Sequence, residues 1–202
     1  MNDPSTELLQ AMIRNRCVND GTPDSGDEDR NADLLTDFFD GSGVAVQRYE
    51  SRPGRGSIVA RIEGSDPTAP SLCLMGHTDV VPVNADGWSR DPFGGEVVAD
   101  ANGRPEIWGR GALDMLSITA TMAVAFRRLV AEGFRPRGSL IYFGVADEEA
   151  GGTWGAEYMC DHHWDVVGAD YVLTETGGWS VHGADGTHRV AVTVAEKGIA
   201  WL

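Results

Sequence analysis

The sequence contains few cysteines, and their spacing matches no common metal or redox motif. Cys17, Cys73 and Cys160 are far apart in a chain of 202 residues. An odd number of thiols cannot pair completely, and no Cys-x-x-Cys pair occurs. The sequence therefore argues against a disulfide framework and against a thiolate zinc site.

Basic residues are scarce as well. The chain has 16 Lys and Arg against 31 Asp and Glu, which gives a formal net charge of −15 at pH 7. Nucleic acids and anionic membranes are bound by clustered basic side chains, so we expect neither as a partner. Most of the acidic excess is expected on a solvated surface. Part of it can be metal-binding carboxylate, because bound divalent cations would offset the charge.

Long apolar runs are also missing. No stretch approaches the roughly 18 apolar residues of a membrane span. Residues 1–4 (MNDP) lack the basic and apolar regions of a signal peptide. We therefore predict a cytoplasmic protein. Hydrophobic residues still make up 42% of the chain, which is enough to form a packed core.

Predicted helices and strands alternate along the chain. The length allows one domain, or one domain and the start of another. Alternation of this kind predicts an α/β sheet with helices on its faces. The helices are predicted at about 5–18, with Ser5 as N-cap, and at 30–39, 115–130 and 153–163. The strands are predicted at 44–49, 57–63, 71–75, 139–145, 171–173 and 190–195.

Acidic and histidine residues follow three of the predicted buried strands. Ligands of open α/β sheets gather at the carboxyl ends of the strands, so these residues are expected to meet. Asp114, at the start of the third helix, is a further candidate. The residues after the strands are His77 and Asp79, then Asp147, Glu148 and Glu149, then Glu175.

Each candidate also has a structural explanation. An Asp at a helix start is commonly an N-cap, adjacent loop glutamates are commonly solvated, and a lone His is often a hydrogen-bonded filler. Four such features at one sheet edge favour a functional interpretation, because Asp and Glu oxygens and a neutral His nitrogen are good zinc ligands. His77 and Asp79 point to the same side of an extended chain, so Asp79 can orient the imidazole. Glu148 and Glu149 point in different directions, which suits one ligand and one general base.

Several short motifs together resemble one enzyme family. They are HTDVVP at 77–82, GW at 87–88, DPF at 91–93, GRGALDM at 109–115, DEE at 147–149, Glu175 with Gly177-Gly178, and EKG at 196–198. In order and spacing they are similar to the co-catalytic zinc exopeptidases that include aminoacylase, acetylornithine deacetylase, succinyl-diaminopimelate desuccinylase and glutamate carboxypeptidase. The resemblance implies a three-layer αβα catalytic domain, of which residues 1–197 are the N-terminal part. Residues 198–202 would begin a lid and dimerisation domain that is otherwise missing from the chain.

The resemblance also implies a role for each candidate residue. Two Zn²⁺ ions would be bound, with Co²⁺ or Mn²⁺ as alternatives, because oxygen and nitrogen ligands accept several divalent ions. A hydroxide shared by ions about 3.5–4 Å apart would attack an amide carbonyl. The family's last ligand, a His near the far C-terminus, has no counterpart here. Carried over to this sequence, Asp114 would bridge the ions, His77 and Glu175 would complete one ligand set, Glu149 would bind the other ion, Asp79 would orient His77, and Glu148 would be the general base.

The implied substrate is a small peptide or an N-acyl amino acid, and the full-length protein would be a homodimer formed through the lid. The isolated 202 residues are expected to be inactive, or to bind one metal weakly. Leu116 stands where the family commonly has Lys, which leaves the ligand set intact. Glu175, where relatives also use Asp, points toward the aminoacylase and carboxypeptidase branches. The remaining histidines match no motif and are expected to be structural or surface residues: His162, His163, His182 and His188.

Two other interpretations remain open. The chain could be a non-catalytic or truncated relative that acts as a binding or regulatory module. Retention of Glu148 argues against this, because a general base has no use without turnover. The chain could also belong to an aminopeptidase of the wider co-catalytic zinc group, although the HTDVVP motif favours the family named above.

Overall fold

A five-stranded mixed sheet forms the centre of the computed structural model, which describes residues 3–175 and 180–190. Gly177-Gly178, residues 191–195 of the last predicted strand, and residues 196–202 lie outside the described residues. The strands are β1 (Val46–Glu50), β2 (Gly56–Ile62), β3 (Leu72–His77), β4 (Glu96–Ala99), β5 (Pro105–Trp108), β6 (Leu140–Val145), β7 (Tyr171–Leu173), β8 (Ser180–His182) and β9 (His188–Val190). The order in the central sheet is β1-β2-β6-β3-β7.

The helices lie close to their predicted positions. No helix in the described part of the chain combines the length and the apolar character that a membrane crossing requires. The helices are α1 (Pro4–Asn15), α2 (Asp29–Phe39), α3 (Leu116–Ala131), α4 (Tyr158–His162), which continues a π-helical segment at Thr153–Glu157, and α5 (Trp164–Val167); short 3-10 turns lie at Ala85–Gly87 and Glu148–Ala150.

The sheet separates two hydrophobic cores, so the predicted three-layer αβα arrangement is confirmed. Strand β6 shows the reason, because its side chains alternate between the two faces. Leu140 and Tyr142 pack into a core with α1, α2 and α3. Ile141, Phe143 and Val145 pack on the opposite face, where Met159 of α4 and Val167 of α5 cover them. Because β6 is buried on both faces, its sequence is a continuous apolar run instead of an alternation of apolar and polar residues.

The start of α1 corrects the predicted N-cap. Ser5 lies inside the helix, and Asp3 is the N-cap, with its carboxylate accepting a hydrogen bond from the Thr6 N–H at 3.2 Å. Pro4 explains the shift, since proline fits the first helical position and leaves the preceding residue extended. The predicted apolar face is confirmed, because Leu8, Leu9, Met12 and Ile13 are all buried.

Two hairpins were not predicted. Strands β4 and β5 pair antiparallel across the tight turn at residues 100–104, and β8 pairs with β9. The second hairpin corrects the placement of His182 and His188, which were expected in a loop but face each other across the two strands. Their ring centroids are 4.2 Å apart. Short strands with exposed side chains show little alternation of apolar and polar residues, so the polar composition of these segments indicated loops.

Candidate metal centre

The parallel part of the sheet brings three chain segments to one edge. Strand β3 lies between β6 and β7 and runs parallel to both. His77 at the end of β3 is in register with Val145 at the end of β6, and Leu74 is in register with Leu173 of β7. The segments that leave these three strands therefore start side by side.

His77 is held with one ring nitrogen facing the other candidates. The side chain is buried, and Nδ1 lies 3.0 Å from the main-chain carbonyl oxygen of Asp79 and 3.5 Å from its carboxylate. Because a carbonyl oxygen only accepts, Nδ1 carries the proton in this arrangement. Nε2 lies 3.2 Å from Asp114 Oδ1, and it would offer its lone pair to a cation that displaces its proton. This is the orientation that a histidine ligand requires.

Three of the predicted ligands form a group that can hold a metal ion. His77, Asp114 and Glu175 each offer one ligand atom, and these atoms all lie within 4.8 Å of one another. Glu175 Oε2 is 3.6 Å from His77 Nε2. Donor atoms bound about 2.0–2.2 Å from a tetrahedral zinc ion lie roughly 3.3–3.6 Å from each other, so the observed spacing and the donor types both fit Zn²⁺.

The two adjacent glutamates occupy different places. Glu148 Oε2 lies 3.6 Å from His77 Nε2, at the exposed side of the group. Glu149, the expected ligand of a second ion, is not part of the three-residue group. Both main-chain N–H groups donate to the Asp79 carboxylate, at 3.2 Å from Glu148 and 3.1 Å from Glu149. Asp79 therefore holds the turn that carries both glutamates.

The accumulated carboxylates favour positive charge at this edge. Burial lowers the pKa of His77, but the hydrogen bond and charge of Asp79, and then the charges of Glu148 and Glu175, outweigh it and raise the pKa to about 10. Burial and the neighbouring Asp114 raise the pKa of Glu175 to about 7. The same kind of crowding raises the pKa of Glu148 and Glu149, with burial as the largest cause. A divalent cation would relieve this repulsion.

Asp79 itself is fully buried and remains acidic. Burial raises the pKa of its carboxyl, but the adjacent His77, the Asn19 amide and the Glu149 N–H together lower it below its ordinary value. Asn19 Nδ2 donates to Asp79 Oδ2 at 2.8 Å. A carboxylate that accepts several hydrogen bonds keeps its charge even when it is removed from water.

A buried polar network beneath the site was missed in the sequence. Asn19, Glu28 and Arg55 are at most 2% exposed. Arg55 Nη1 donates to Glu28 Oε1 at 2.7 Å and lies 3.4 Å from Asp147 Oδ1. These residues are far apart in sequence and stand in Gly- and Asp-rich segments, so no local pattern marked them. From the sequence alone, Asn19, Glu28 and Arg55 would each be interpreted as a solvated loop residue.

Among the described residues, the group that could hold a metal ion contains none of the other histidines. His163 packs against Tyr49 with a centroid distance of 4.7 Å, and His162 packs against Tyr158 at 4.9 Å. His182 and His188 form the ring pair of the β8–β9 hairpin.

Comparisons with known proteins agree with one another. The family model described as "Peptidase family M20/M25/M40" matches residues 73–198. Aminoacylase-1 of Sus scrofa is 39% identical over 174 residues, which are 85% of this chain and 40% of that protein. Aminoacylase-1B of Rattus norvegicus is 36% identical over 178 residues, with the same coverage of 85% and 40%. A succinyl-diaminopimelate desuccinylase of Rhodopseudomonas palustris is 35% identical over 152 residues, 74% of this chain and 37% of that protein.

Solved structures share the fold. An M20 family metallo-carboxypeptidase from Sulfolobus solfataricus superposes with a TM-score of 0.69 at 20% identity, over 88% of this chain and 38% of that chain. Human carnosine dipeptidase 1 superposes with a TM-score of 0.66 at 22% identity, over 87% and 38%. The chain thus spans about 40% of the length of the curated relatives that it matches.

Proposed function

The chain belongs to the peptidase family M20/M25/M40, and from this premise we propose that it is part of a metal-dependent hydrolase that cleaves an amide bond of a small peptide or an N-acyl amino acid. The observation that supports this most directly is the group of His77, Asp114 and Glu175 with Glu148 beside it. Its donor types and spacing suit a metal ion, and its neighbour suits proton transfer.

We also propose how the chain relates to the complete enzyme. Residues 1–197 would be the N-terminal part of the catalytic domain, and residues 198–202 would begin a lid domain. The coverage of about 40% of the curated relatives supports this division. The complete protein would form a homodimer through that lid, which size-exclusion chromatography with light scattering would detect.

The proposed ligand set would hold two Zn²⁺ ions. His77, Asp114 and Glu175 would hold one ion, and Asp114 would share the second with Glu149. Co²⁺ and Mn²⁺ are the alternatives. A bound divalent cation supplies Lewis acidity, which activates both water and a scissile carbonyl. Glu149 is half-buried, and its pKa is raised by burial and by the charges of Asp114 and Asp79, so its carboxylate belongs to the same electrostatic cluster.

Glu148 is the proposed general base. Its carboxylate is half-exposed and points to the open side of the group, so a water molecule and a substrate can reach it. Burial and the charges of Asp79 and Asp114 raise its pKa above the ordinary range. A less acidic carboxylate accepts a proton from an attacking water more readily and can return it to the leaving amine. Asp79 keeps this carboxylate in place through the Glu148 N–H.

Asp79 has two positioning tasks in this scheme. Its main-chain carbonyl directs the His77 ring, and its carboxylate receives the N–H groups of Glu148 and Glu149. One residue thereby fixes a proposed ligand and the proposed base relative to each other. The substrate carbonyl would bind between them, at the exposed side where Asp114 and Glu148 meet solvent.

Substitutions in the complete catalytic domain distinguish the proposed metal ligand Glu175 from the proposed general base Glu148. Glu148→Gln should retain its metal but lose activity by a factor of about 10²–10⁴. Glu175→Gln should lose metal as well as activity, whereas Glu132→Gln, at an exposed helix end, is the matched control and should change neither. Metal content is measured by elemental analysis, and activity on a panel of N-acetyl amino acids and dipeptides. An active Glu148→Gln protein would contradict the assigned base. Metal binding without any hydrolysis by the wild type would favour a binding or regulatory module.

A further inference from the structure

A buried polar network lies directly beneath the proposed site. Its five residues come from five different segments, and each is at most 2% exposed. Burial of polar and charged groups is costly unless they are hydrogen-bonded to one another. A buried cluster of such groups therefore fixes the relative positions of the segments that carry them. The members are Asn19 after α1, Glu28 before α2, Arg55 before β2, Asp79 after β3 and Asp147 after β6.

Asn19 joins the parts of this network. Its Nδ2 donates to Asp79 Oδ2 at 2.8 Å and to Asp147 Oδ1 at 3.1 Å, and its Oδ1 accepts from Arg55 Nη2 at 3.2 Å. The amide can stand only in this orientation, because carboxylates only accept and a guanidinium only donates. The main-chain N–H of Asn19 also donates to Val80 O at 2.9 Å, which ties the loop to the end of β3.

The two carboxylates bridged by Asn19 hold the turn after β6. Asp79 accepts the N–H groups of Glu148 and Glu149, and Asp147 accepts the Trp154 N–H at 2.9 Å. The Asp147 N–H in turn donates to Glu28 Oε1 at 3.0 Å. The segment that carries both glutamates is therefore attached to the network at its start, in its middle and at its end.

Charge explains why an asparagine is suited to this position. The carboxylates of Glu28 and Asp147 lie against the Arg55 guanidinium, and the Asp79 carboxylate accepts from the Asn19 amide. A neutral amide supplies two donors to the carboxylates without adding charge and one acceptor to the arginine. An aspartate there would remove both donors and add a further negative group to a buried site.

We propose that Asn19, held by the buried Arg55–Glu28 pair, is a positioning residue that sets the Asp79 carboxylate and, through it, the places of Glu148 and Glu149. In the described part of the chain Asn19 makes no hydrogen bond to His77, Asp114 or Glu175, so it acts through Asp79 and the turn that Asp79 holds. The inference rests on the proposed function for its effect on catalysis. Its structural part, the control of the Glu148–Glu149 turn, stands independently.

The first experiment measures the turn directly. Amide hydrogen exchange at Glu148 and Glu149 is compared in the wild type, Asn19→Ala, Asn19→Ser and the exposed-turn control Asn102→Asp. Asn19→Ala should accelerate exchange at these two amides at least about tenfold, since their acceptor loses its anchor. Asn19→Ser, which keeps one donor, should give an intermediate effect and serves if the alanine variant fails to fold. Wild-type protection in either folded Asn19 variant overturns the proposal, whatever the activity of the protein.

The second experiment tests the catalytic consequence in the complete domain. Asn19→Ala should lower kcat at least about tenfold while KM stays within twofold, because the turn that carries the base and Glu149 is displaced. Combined with Glu148→Gln, Asn19→Ala should cause much less loss than it causes alone, since residues that act as a unit are not additive. Additive losses, or an unchanged kcat in a folded Asn19→Ala protein, would overturn the positioning role. An active Glu148→Gln protein would instead refute the proposed function and leave the exchange result to decide the inference.

Discussion

Replacement of Gly76 by alanine tests how tightly β3 and α3 are packed behind the metal-binding group. Gly76 precedes His77 in β3, and its face is covered by α3. A Cβ added here would lie 3.1 Å from both Cα and Cβ of Thr119 and closer still to Thr119 Oγ1. The same hydroxyl donates to the His77 main-chain carbonyl at 2.8 Å. The clash therefore involves helix backbone, which cannot rotate away as a flexible side chain would.

The cost can be estimated from these contacts. Overpacking of a closely packed interior costs about 1–3 kcal/mol. Displacement of the Thr119 hydroxyl from its carbonyl removes a hydrogen bond worth about 1 kcal/mol. The free energy of unfolding should thus fall by roughly 2–4 kcal/mol, a large part of the 5–15 kcal/mol that is usual for a domain. Since His77 is the next residue, metal affinity of the proposed site should fall as well.

Denaturant unfolding monitored by circular dichroism provides the measurement, with Gly87→Ala as the matched control. Gly87 lies in a surface turn, and a Cβ there meets nothing within 4 Å. This control should stay within about 0.5 kcal/mol of the wild type, as surface substitutions usually do. If Gly76→Ala unfolds at the same denaturant concentration as Gly87→Ala, β3 and α3 are not in tight contact at this position.

Three further predictions concern the interior. Burial raises the pKa of Glu28 from its ordinary 4.5 to about 7 in the fold, so the folded state keeps a proton that the unfolded state loses. Glu28 alone should therefore lower the free energy of unfolding by about 3 kcal/mol as pH rises from 4.5 to 7, and the pH-dependent decline measured for Glu28→Gln should be smaller than that of the wild type by this amount. Phe126→Ala should cost about 3–5 kcal/mol in the same type of unfolding experiment, because the ring is fully buried and packs edge-on against Phe39. Burial raises the pKa of the Cys17 thiol, and it raises the pKa of the Cys73 thiol to about 12, whereas Cys160 is exposed. A thiol reagent should therefore label Cys160 alone in the native protein and all three thiols after denaturation. Fast labelling of a second thiol in the native protein would contradict the burial of Cys17 and Cys73.

The sheet and the position of the candidate site could be predicted because their signals are local. Strand β6 is an unbroken apolar run, and α1 shows helical spacing of four buried residues. Parallel strands place their ends at one edge, so the topology alone brings His77 and Glu175 near each other. Topology rules of this kind need only the order of the elements.

The support beneath the site could not be predicted, because it depends on pairs that are distant in sequence. Asn19 contacts Asp147 across 128 positions and Arg55 across 36. No periodicity distinguishes a buried Asn or Arg from a solvated one in a Gly-rich loop. The β4–β5 hairpin was missed for a related reason, since its exposed side chains do not alternate in polarity.

Asp79 shows why a carboxylate that is not part of the metal-binding group is nevertheless buried completely. A charge removed from water is tolerated only where donors replace the lost hydration. Here the donors are the Asn19 amide and the N–H groups of Glu148 and Glu149, with the His77 ring 3.5 Å away. Each donor belongs to a segment whose position matters to the proposed site. The burial of Asp79 is therefore stable only when the ends of β3 and β6 and the loop after α1 are all in place, and this links formation of the site to completion of the fold.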